Sequence, residues 1–231
     1  MDSLQTWGTG SICLTPPPVC NDCFAIGPPS ADQTGGGVNI RGLVLAGGKS
    51  SRFGRDKALE VYHGESLLER AVNLLGSVDM RPIVVTRHGA DYPFLQCPVL
   101  RDKLPEKGPL GGIYTAMSVF KKVDFLVLTC DMPVLTSFAL HQLFSHKRMD
   151  CLTVFSDSCS LQPFPGIYPS LLFSTIGRKL IQGSLSMAAL IEQTSNKRIV
   201  PWEGDRGVFL NVNRQEDIWE LKNFSCLSRS S

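Results

Sequence analysis

The sequence predicts an α/β protein with a Rossmann-like, three-layer α/β/α fold and a mostly parallel central sheet. Continuous apolar strands, such as Ile40 to Ala46 and Asp124 to Cys130, are typical of a sheet covered on both faces. Helical segments alternate with these strands along the chain, which favours parallel strand connections. The helices also begin at recognisable signals, such as the capping box Ser66-Leu-Leu-Glu69.

In chain order, the first strand at residues 40–46 is flanked by glycines, and the capping box begins a helix that runs to about Leu75. Short β-branched or apolar runs predict the other extended segments at residues 82–86, 98–101, 124–130, 150–155, 163–168, 198–202 and 208–212. Helices are predicted at residues 111–120, after a loop at Gly108 to Gly112, and at residues 136–146 and 184–194. A second capping box, Asn213-Arg-Gln-Glu216, predicts a last helix to about Leu221.

The first 39 residues differ in composition from the rest of the chain. They contain five prolines, six glycines and no lysine or arginine, and the proline run at 16–18 prevents continuous helix or ladder formation. A signal peptide would need a basic region and an uninterrupted apolar stretch, and neither is present. We therefore expect a disordered extension at residues 1–39, or upstream sequence that is not translated in the cell, and one domain at residues 40–226.

The composition argues against several functional classes. Hydrophobic residues make up 43% and charged residues 19% of the 231 residues, as in ordinary soluble proteins, and the net charge is only +2. No Lys/Arg-rich run indicates a nucleic-acid partner, and no apolar run reaches the roughly 18 residues that would cross a membrane. The eight cysteines do not form a disulfide scaffold. The C-x-x-C at Cys20 to Cys23 has no second pair, so we expect reduced thiols in a cytoplasmic protein.

A glycine-rich, basic segment from Leu45 to Lys57 follows the first strand, and in such sheets ligands bind beyond the carboxyl ends of the strands. Gly47 and Gly48 allow a sharp turn that brings backbone N–H groups close to phosphate oxygens. Within nine residues the segment adds four cations: Lys49, Arg52, Arg55 and Lys57. A polyanionic ligand is therefore expected here, and a basic surface turn is the structural alternative.

Two familiar phosphate loops do not fit this segment. A Walker A loop ending at Gly48-Lys49-Ser50 would need a glycine where the chain has Leu43, and the dinucleotide pattern G-x-G-x-x-G has no match. The ligand must therefore be bound by a different kind of glycine-rich loop.

Asp131 follows the most apolar strand, so its carboxylate is expected at the ligand-binding edge of the sheet. Mg²⁺ is commonly bound by one or two carboxylates together with substrate phosphates and waters. Asp131 is therefore a candidate Mg²⁺ ligand, and capping of the next helix is its structural alternative.

The segment from Leu45 to Lys57 resembles, without gaps, the signature L-A-G-G-x-S-x-R-[M/F]-G-x-D-K of the molybdenum cofactor guanylyltransferases, nucleotidyltransferases that guanylylate molybdopterin. The resemblance continues in order through Arg101-Asp102 with Gly108-Pro-Leu-Gly-Gly112, Thr129-Cys-Asp-Met-Pro133, Gln162-Pro-Phe-Pro-Gly-Ile-Tyr168, and Leu210-Asn-Val-Asn-Arg-Gln-Glu-Asp217. It covers about residues 40–222. The first motif is shared by many nucleotidyltransferases, but the full set in this order is far more specific.

The resemblance implies a nucleotidyltransferase fold with a GTP site. Leu45, Ala46 and Gly47 would bind the nucleotide through their backbone. Asp102 would contribute to nucleoside binding, although an acid in a turn is also common for structural reasons.

The resemblance also implies catalytic roles. Lys57 would hold phosphate, and Asp131 would ligate Mg²⁺ while touching the nucleotide. Nucleotidyl transfer needs positioning and charge neutralisation, so Arg52 and Lys57 would neutralise the triphosphate and stabilise the leaving pyrophosphate. Asn213 can cap the last helix, and related folds place a second metal contact in this region.

The sequence departs from the family pattern at a few positions. Phe53 stands where methionine is usual, Arg214-Gln215 where Thr-Pro is common, and Pro165 and Gly166 are atypical near the expected acceptor site. None of these departures removes a charged group, so they bear on the choice of acceptor more than on nucleotide binding.

The implied reaction transfers GMP from GTP to the phosphate of molybdopterin or Mo-molybdopterin, which gives molybdopterin guanine dinucleotide and pyrophosphate. GTP and molybdopterin are then the partners, Mg²⁺ is the cofactor, and molybdoenzyme maturation proteins are candidate receivers of the product. Alternatives are a molybdopterin cytidylyltransferase, a sugar-phosphate nucleotidyltransferase or a non-catalytic nucleotide-binding regulator. The Ala46-Gly47-Gly48 run favours guanylyl transfer, because the cytidylyl branch more often carries a second alanine.

Overall fold

A seven-stranded sheet lies at the centre of the molecule. The structure is a computed structural model, and it describes residues 39–47, 56–87, 92–104, 106–157, 160–214, 216–218 and 221. In chain order the strands are β1 (Ile40–Leu45), β2 (Val61–Tyr62), β3 (Glu65–Ser66), β4 (Pro82–Thr86), β5 (Val99–Arg101), β6 (Asp124–Thr129), β7 (Leu152–Ser156), β8 (Leu161–Tyr168) and β9 (Lys197–Pro201). The helices are α1 (Leu67–Gly76), α2 (Gly108–Val119), α3 (Ser137–Ser145), α4 (Phe173–Ile181) and α5 (Met187–Gln193). The predicted extension at residues 1–39 lies outside the described residues except for Asn39, so the domain boundary stays a prediction.

The order of the strands in the sheet is β5-β4-β1-β6-β8-β7-β9, and β2 pairs with β3 in a separate small ribbon. β1 is parallel to both of its neighbours, with Leu43 opposite Ile83 on β4 and Val127 on β6. Only β8 runs antiparallel to its two neighbours in this sheet. The mostly parallel sheet confirms the predicted fold class.

Alternate residues of the strands fill two separate hydrophobic cores, one on each face of the sheet. Val44 on β1 packs in one core with α1 and α3, while Leu43 and Leu45 pack in the other with α2, α4 and α5. Burial on both faces explains why the strands are continuous apolar runs. Helices on both faces of the sheet complete the predicted three-layer α/β/α arrangement.

Three helices begin at side-chain caps. Ser66 and Glu69 form the predicted capping box of α1, since each side chain accepts a backbone N–H of the other residue. Thr136 caps α3 and Ser186 caps α5, and in each case the side chain of the cap residue accepts one backbone N–H of the helix. Because Thr136 provides the cap of α3, the alternative that Asp131 caps this helix is wrong.

The predicted loop at Gly108 to Gly112 is instead the first turn of α2. Pro109 stands at the start of the helix, where its fixed φ is already helical and its missing N–H costs nothing. The glycines serve close packing: a Cβ on Gly112 would lie 2.8 Å from Cδ2 of Leu45. The small residues thus let α2 approach β1 closely.

Two further elements of the structure differ from what the sequence predicts. The strand predicted at Val208 to Val212 is wrong, because Arg206–Phe209 forms a 3-10 turn. Asp205 caps this turn by accepting the N–H of Gly207, and Phe209 is buried among aromatic rings. Helix α4 was not predicted: it has no side-chain cap and contains Gly177, both of which weaken the sequence signal.

One of the atypical residues, Gly166 on β8, has a structural explanation. A Cβ at this position would lie 2.6 Å from the carbonyl oxygen of Pro163 and 3.0 Å from Cγ1 of Val154. The pairing of β8 with β7 also shifts between Val154 and Phe155, so β8 bulges beside this glycine. Glycine is therefore required here by the close approach of the Pro163 carbonyl and the Val154 side chain.

Candidate active site

Strands β1, β4, β5 and β6 end at one edge of the sheet, which we call the carboxyl edge. From β1 the chain moves outward to β4 and β5, and then crosses through α2 to β6 on the other side of β1. The strand order therefore reverses between β1 and β6, where open α/β sheets bind their ligands. The N–H of Cys130 donates to the carbonyl of Leu45 over 3.3 Å, which joins the two strand ends at this point.

Lys57 and Asp131 meet at this position, although 74 residues separate them in the chain. The Nζ atom of Lys57 donates to Oδ2 of Asp131 over 3.0 Å. The two side chains are 16% and 25% exposed, so the pair is shielded from bulk water but still accessible to a ligand. The structure thus brings together the last lysine of the glycine-rich segment and the acid after the most apolar strand.

Asp56 fixes the backbone from which Lys57 extends. Its Oδ1 atom accepts the N–H of Ala58 and caps the 3-10 turn Lys57–Leu59. Its Oδ2 atom accepts the hydroxyl of the buried Tyr92 over 2.9 Å and lies 3.7 Å from the guanidinium of Arg87. The connection after β4 therefore holds the turn that presents Lys57.

Asp131 has one carboxylate oxygen that fits a metal ion. Oδ2 receives Lys57, whereas Oδ1 is buried and accepts no hydrogen bond within the part of the chain that the structure describes. A buried carboxylate oxygen without a donor is costly unless a ligand or ion satisfies it. Carboxylate oxygens are the ligands that Mg²⁺ prefers, so the residue present fits this ion.

The neighbouring thiol of Cys130 does not compete for this role. Burial, together with the negative charge of Asp131, raises the pKa of the Cys130 thiol to about 12. Mg²⁺ prefers oxygen ligands, so this thiol is not a candidate ligand for the ion. Among the residues that the structure describes, no three or more His, Cys, Asp or Glu side chains form a metal cluster.

Asp102 follows β5 at the same edge and is held by structural hydrogen bonds. Its Oδ1 atom accepts the N–H of Leu104 over 3.0 Å and the hydroxyl of Thr115 on α2 over 2.9 Å. Burial raises the pKa of the Asp102 carboxyl above its usual range, and these two hydrogen bonds oppose the rise. Oδ2 lies 3.4 Å from the position that a Cβ on Gly111 would occupy, so it faces the first turn of α2.

Leu45 ends β1 beside these groups, and Ala46 and Gly47 follow it. The N–H of Ala46 donates to the carbonyl of Val85 over 2.9 Å, and the carbonyl of Leu45 accepts Cys130. The sheet thus already uses one backbone group of each of these two residues. Gly47 is the first residue beyond these hydrogen bonds, and backbone binding of the nucleotide by the three residues stays a prediction.

Arg52, the third predicted catalytic residue, lies outside the described residues. The rest of residues 48–55 do as well, among them Gly48, Lys49 and Arg55.

Arg70 is a residue of the site region that sequence reasoning missed. From α1 its Nη2 and Nε atoms donate to the carbonyl of Pro133 over 3.0 and 3.3 Å, and its guanidinium lies 5.0 Å from the ring centroid of Tyr62. Pro133 is two residues after Asp131, so Arg70 secures the loop that carries this acid. The only sequence signal was a basic residue on an amphipathic helix, which is usually a solvent-exposed charge.

The segment after β9 also approaches Asp131. The N–H of Val212 donates to the carbonyl of Asp131 over 2.8 Å, and Asn213 is the next residue after Val212 in the sequence. In the predicted capping box the carboxylate comes from Asp217 instead of Glu216, since Asp217 Oδ2 accepts the N–H groups of Asn213 and Arg214. Asn213 takes part in these hydrogen bonds through its backbone N–H, and its side chain is not involved.

Comparison with known proteins identifies the family. Residues 42–198 match the MobA-like NTP transferase domain. The chain belongs to this family. A molybdenum cofactor guanylyltransferase of Xanthomonas euvesicatoria is 30% identical over 179 residues, which are 76% of this chain and 90% of the relative.

Solved structures of similar proteins share the fold. A molybdopterin-guanine dinucleotide biosynthesis protein A from Archaeoglobus fulgidus aligns with a TM-score of 0.66 and 19% identity, over 80% of this chain and 98% of that one. A nucleotidyl transferase from Methanothermobacter aligns with a TM-score of 0.68 and 16% identity, over 83% and 100% of the two chains. These matches confirm the nucleotidyltransferase fold that the resemblance implies.

The match to the MobA-like family includes Lys57, Asp102 and Asp131, whereas the segment after residue 198 lies beyond it. Membership in this family indicates a nucleotidyltransferase. In the part of the chain that the structure describes, no helix is both long and apolar enough to span a bilayer.

Proposed function

We propose that the protein transfers GMP from GTP to the phosphate of molybdopterin, forming molybdopterin guanine dinucleotide and pyrophosphate. The observation that carries this proposal is the contact between Lys57 and Asp131 at the point where the strand order reverses. At this point Lys57, a cation that would bind phosphate, donates a hydrogen bond to Asp131, an acid that would bind a metal ion. The name of the Xanthomonas relative supports guanine as the base.

The chemistry asks for positioning and charge neutralisation more than for a covalent or acid–base group. The acceptor phosphate attacks the α-phosphorus of GTP, and the bond from this phosphorus to the bridging oxygen of pyrophosphate breaks. A phosphate monoester is already nucleophilic near neutral pH. Lys57, with Arg52, would bind the phosphates and stabilise the charge that develops on the leaving pyrophosphate.

Asp131 would hold Mg²⁺ through its buried Oδ1 atom, while Oδ2 keeps Lys57 in place. When bound, the ion would supply charge neutralisation at the phosphates. Asp102 and the backbone of Leu45, Ala46 and Gly47 would bind the nucleoside side of GTP.

The first test identifies the product formed from GTP, Mg²⁺ and molybdopterin by mass spectrometry, with CTP and UTP offered in competition. We expect molybdopterin guanine dinucleotide and pyrophosphate in equal amounts. Preference for CTP would point to a cytidylyltransferase, and transfer only to sugar phosphates to a different acceptor class. Nucleotide binding without any transfer would favour a regulator.

The second test uses variants of the two central residues. Asp131→Asn and Lys57→Met should each lower kcat by about 100- to 1,000-fold, by analogy with other single electrostatic groups in active sites. Lys121→Met is the matched control, because Lys121 is an exposed residue between α2 and β6, at the opposite edge of the sheet. Full turnover by Asp131→Asn would disprove the metal role of this acid.

A further inference from the structure

Beyond β6 the carboxyl edge continues over β8, β7 and β9, and an arginine there is held by a buried acid. An Nη2 atom of Arg206 lies 3.3 Å from Oδ2 of Asp157, which directly follows β7. The Asp157 side chain is only 6% exposed, whereas that of Arg206 is 54% exposed. The pair thus has a buried anchor and an accessible cation.

The backbone of Arg206 is also firmly placed. It begins the 3-10 turn Arg206–Phe209, which Asp205 caps through the N–H of Gly207. The indole Nε1 of Trp202 donates to the carbonyl of Asp205 over 2.9 Å, and the Trp202 ring packs on the ring of Phe209. An aromatic cluster therefore fixes the position from which Arg206 extends.

The buried acid is oriented by further hydrogen bonds. Asp157 Oδ1 accepts the N–H of Ser160 over 2.8 Å, and Oδ2 accepts the side-chain amide of Gln162 over 2.9 Å. Gln162 begins the motif that resembles the acceptor segment of the family. Neutral donors therefore already orient the Asp157 carboxylate, and the carboxylate in turn holds the guanidinium of Arg206 in one position. Arg206 then loses little side-chain freedom when it binds a ligand.

Hydrogen bonds at two points show that the segment carrying Arg206 runs along the carboxyl edge toward Asp131. At its start, Trp202 N–H donates to the carbonyl of Ser156 at the end of β7. At its end, Val212 N–H donates to the carbonyl of Asp131 after β6. Arg206 lies between these two anchors, on the side of Asp131 away from β1, β4 and β5.

We propose that Arg206 binds the phosphate monoester of the acceptor, with Asp157 as its positioning residue. The inference rests on the proposed function, which brings two anionic reactants together at Asp131. If GTP lies over β1, β4 and β5 beside Lys57, the acceptor must approach from the β8 and β7 side. A planar, half-exposed guanidinium there matches the geometry of phosphate oxygens and offsets their repulsion from the triphosphate.

The test measures the KM for molybdopterin and the KM for GTP separately. Arg206→Met should raise the KM for molybdopterin by about 10- to 100-fold, the range expected for a charge-assisted hydrogen bond, and leave the KM for GTP unchanged. Arg206→Lys should raise the KM for molybdopterin less than Arg206→Met does, because lysine keeps the charge but lacks the planar guanidinium donors. Asp157→Asn should give a smaller rise in the same constant.

Arg148→Met is the control, since Arg148 is exposed just before β7, at the opposite edge of the sheet. If the KM for molybdopterin is the same in Arg206→Met and Arg148→Met, the acceptor role of Arg206 is disproved while the proposed function stands. Circular dichroism and thermal unfolding of Arg206→Met verify that the fold is intact.

A second measurement does not depend on turnover. Phenylglyoxal modifies accessible arginines, and inorganic phosphate should slow the modification of Arg206 but not of Arg148, as mapped by mass spectrometry of the peptides. If the wild type transfers nothing to molybdopterin, the proposed function fails, and this measurement decides whether Arg206 is an anion site. Equal modification of Arg206 with and without phosphate would overturn the inference.

Discussion

The hydroxyl of Tyr92 donates to Oδ2 of Asp56 over 2.9 Å, and this bond links the connection after β4 to the turn that presents Lys57. Tyr92 is almost completely buried, and burial is the main cause that raises the pKa of its hydroxyl well above the usual range. The hydroxyl is therefore a permanent donor at physiological pH. Lys57 in turn reaches Asp131, so three parts of the chain converge on one ion pair.

Removal of this hydroxyl should affect phosphate handling more than the fold. Tyr92→Phe keeps the buried ring but removes one hydrogen bond, at a cost of about 0.5–1.5 kcal/mol in unfolding free energy. Because Asp56 then holds the turn less firmly, we expect kcat/KM for GTP to fall several-fold, as measured by pyrophosphate release. Tyr114→Phe is the control, since the Tyr114 ring stacks on Phe173 and that stacking survives. Equal kinetics in the two variants would contradict the link from Tyr92 to Lys57.

The charge of Asp102 should lower the stability of the fold, while the residue contributes to GTP binding. Because its pKa is raised in the folded protein, the folded state binds more protons than the unfolded state between the usual pKa and the raised one. Stability is therefore lost as the pH rises through that window. Asp102→Asn keeps an acceptor oxygen for Leu104 and Thr115 without the charge, so its melting temperature relative to wild type should increase from pH 3 to pH 7.

The same variant should bind GTP more weakly if Asp102 contacts the nucleoside. Thermal unfolding at the two pH values and calorimetric titration with GTP check the two halves of this prediction. A melting-temperature difference that is independent of pH would show that burial of the charge does not matter for stability.

The parallel half of the fold could be predicted from the sequence because its signals are local. The apolar runs of β1 and β6 and the capping box of α1 depend on neighbours within a few residues. Helix α4 lacks such signals, since neither a cap nor an uninterrupted run of helix formers marks it. Its position is set by packing of α4 against α2, where Gly177 lies against Tyr114.

The candidate site could be predicted only in part, because some of its contacts join residues that are far apart in the sequence. Lys57 and Asp131 each follow an apolar strand or its loop, so their shared edge follows from parallel topology. The contacts of Arg70 and Arg206 depend on partners 63 and 49 residues away, which no local pattern encodes. The proposed base and acceptor come from the family resemblance, because no local residue pattern predicts them.

Gly111 in the first turn of α2 should be intolerant of a side chain. A Cβ there would lie 2.9 Å from the carbonyl oxygen of Leu104 and 3.0 Å from Cβ of Lys107, so the turn must move. We expect Gly111→Ala to lower the unfolding free energy by about 1–3 kcal/mol and to displace Asp102. Gly76→Ala is the matched control, because Gly76 lies in α1 with open space around it and should gain up to about 1 kcal/mol. Denaturant unfolding measures both changes, and equal effects would contradict the packing explanation.

Arg70 should control how well the loop after β6 presents Asp131. Two of its N–H groups converge on the carbonyl of Pro133, and a lysine can keep the charge but cannot make this planar, two-pronged contact. Arg70→Lys should therefore loosen the loop and raise the Mg²⁺ concentration needed for half-maximal activity several-fold, with a smaller effect on the KM for GTP. Arg178→Lys on α4 is the control, because Arg178 contacts only Thr175 of its own helix among the side-chain hydrogen bonds of the described residues. A lower melting temperature with unchanged Mg²⁺ dependence would mean that Arg70 supports the fold alone and does not position Asp131.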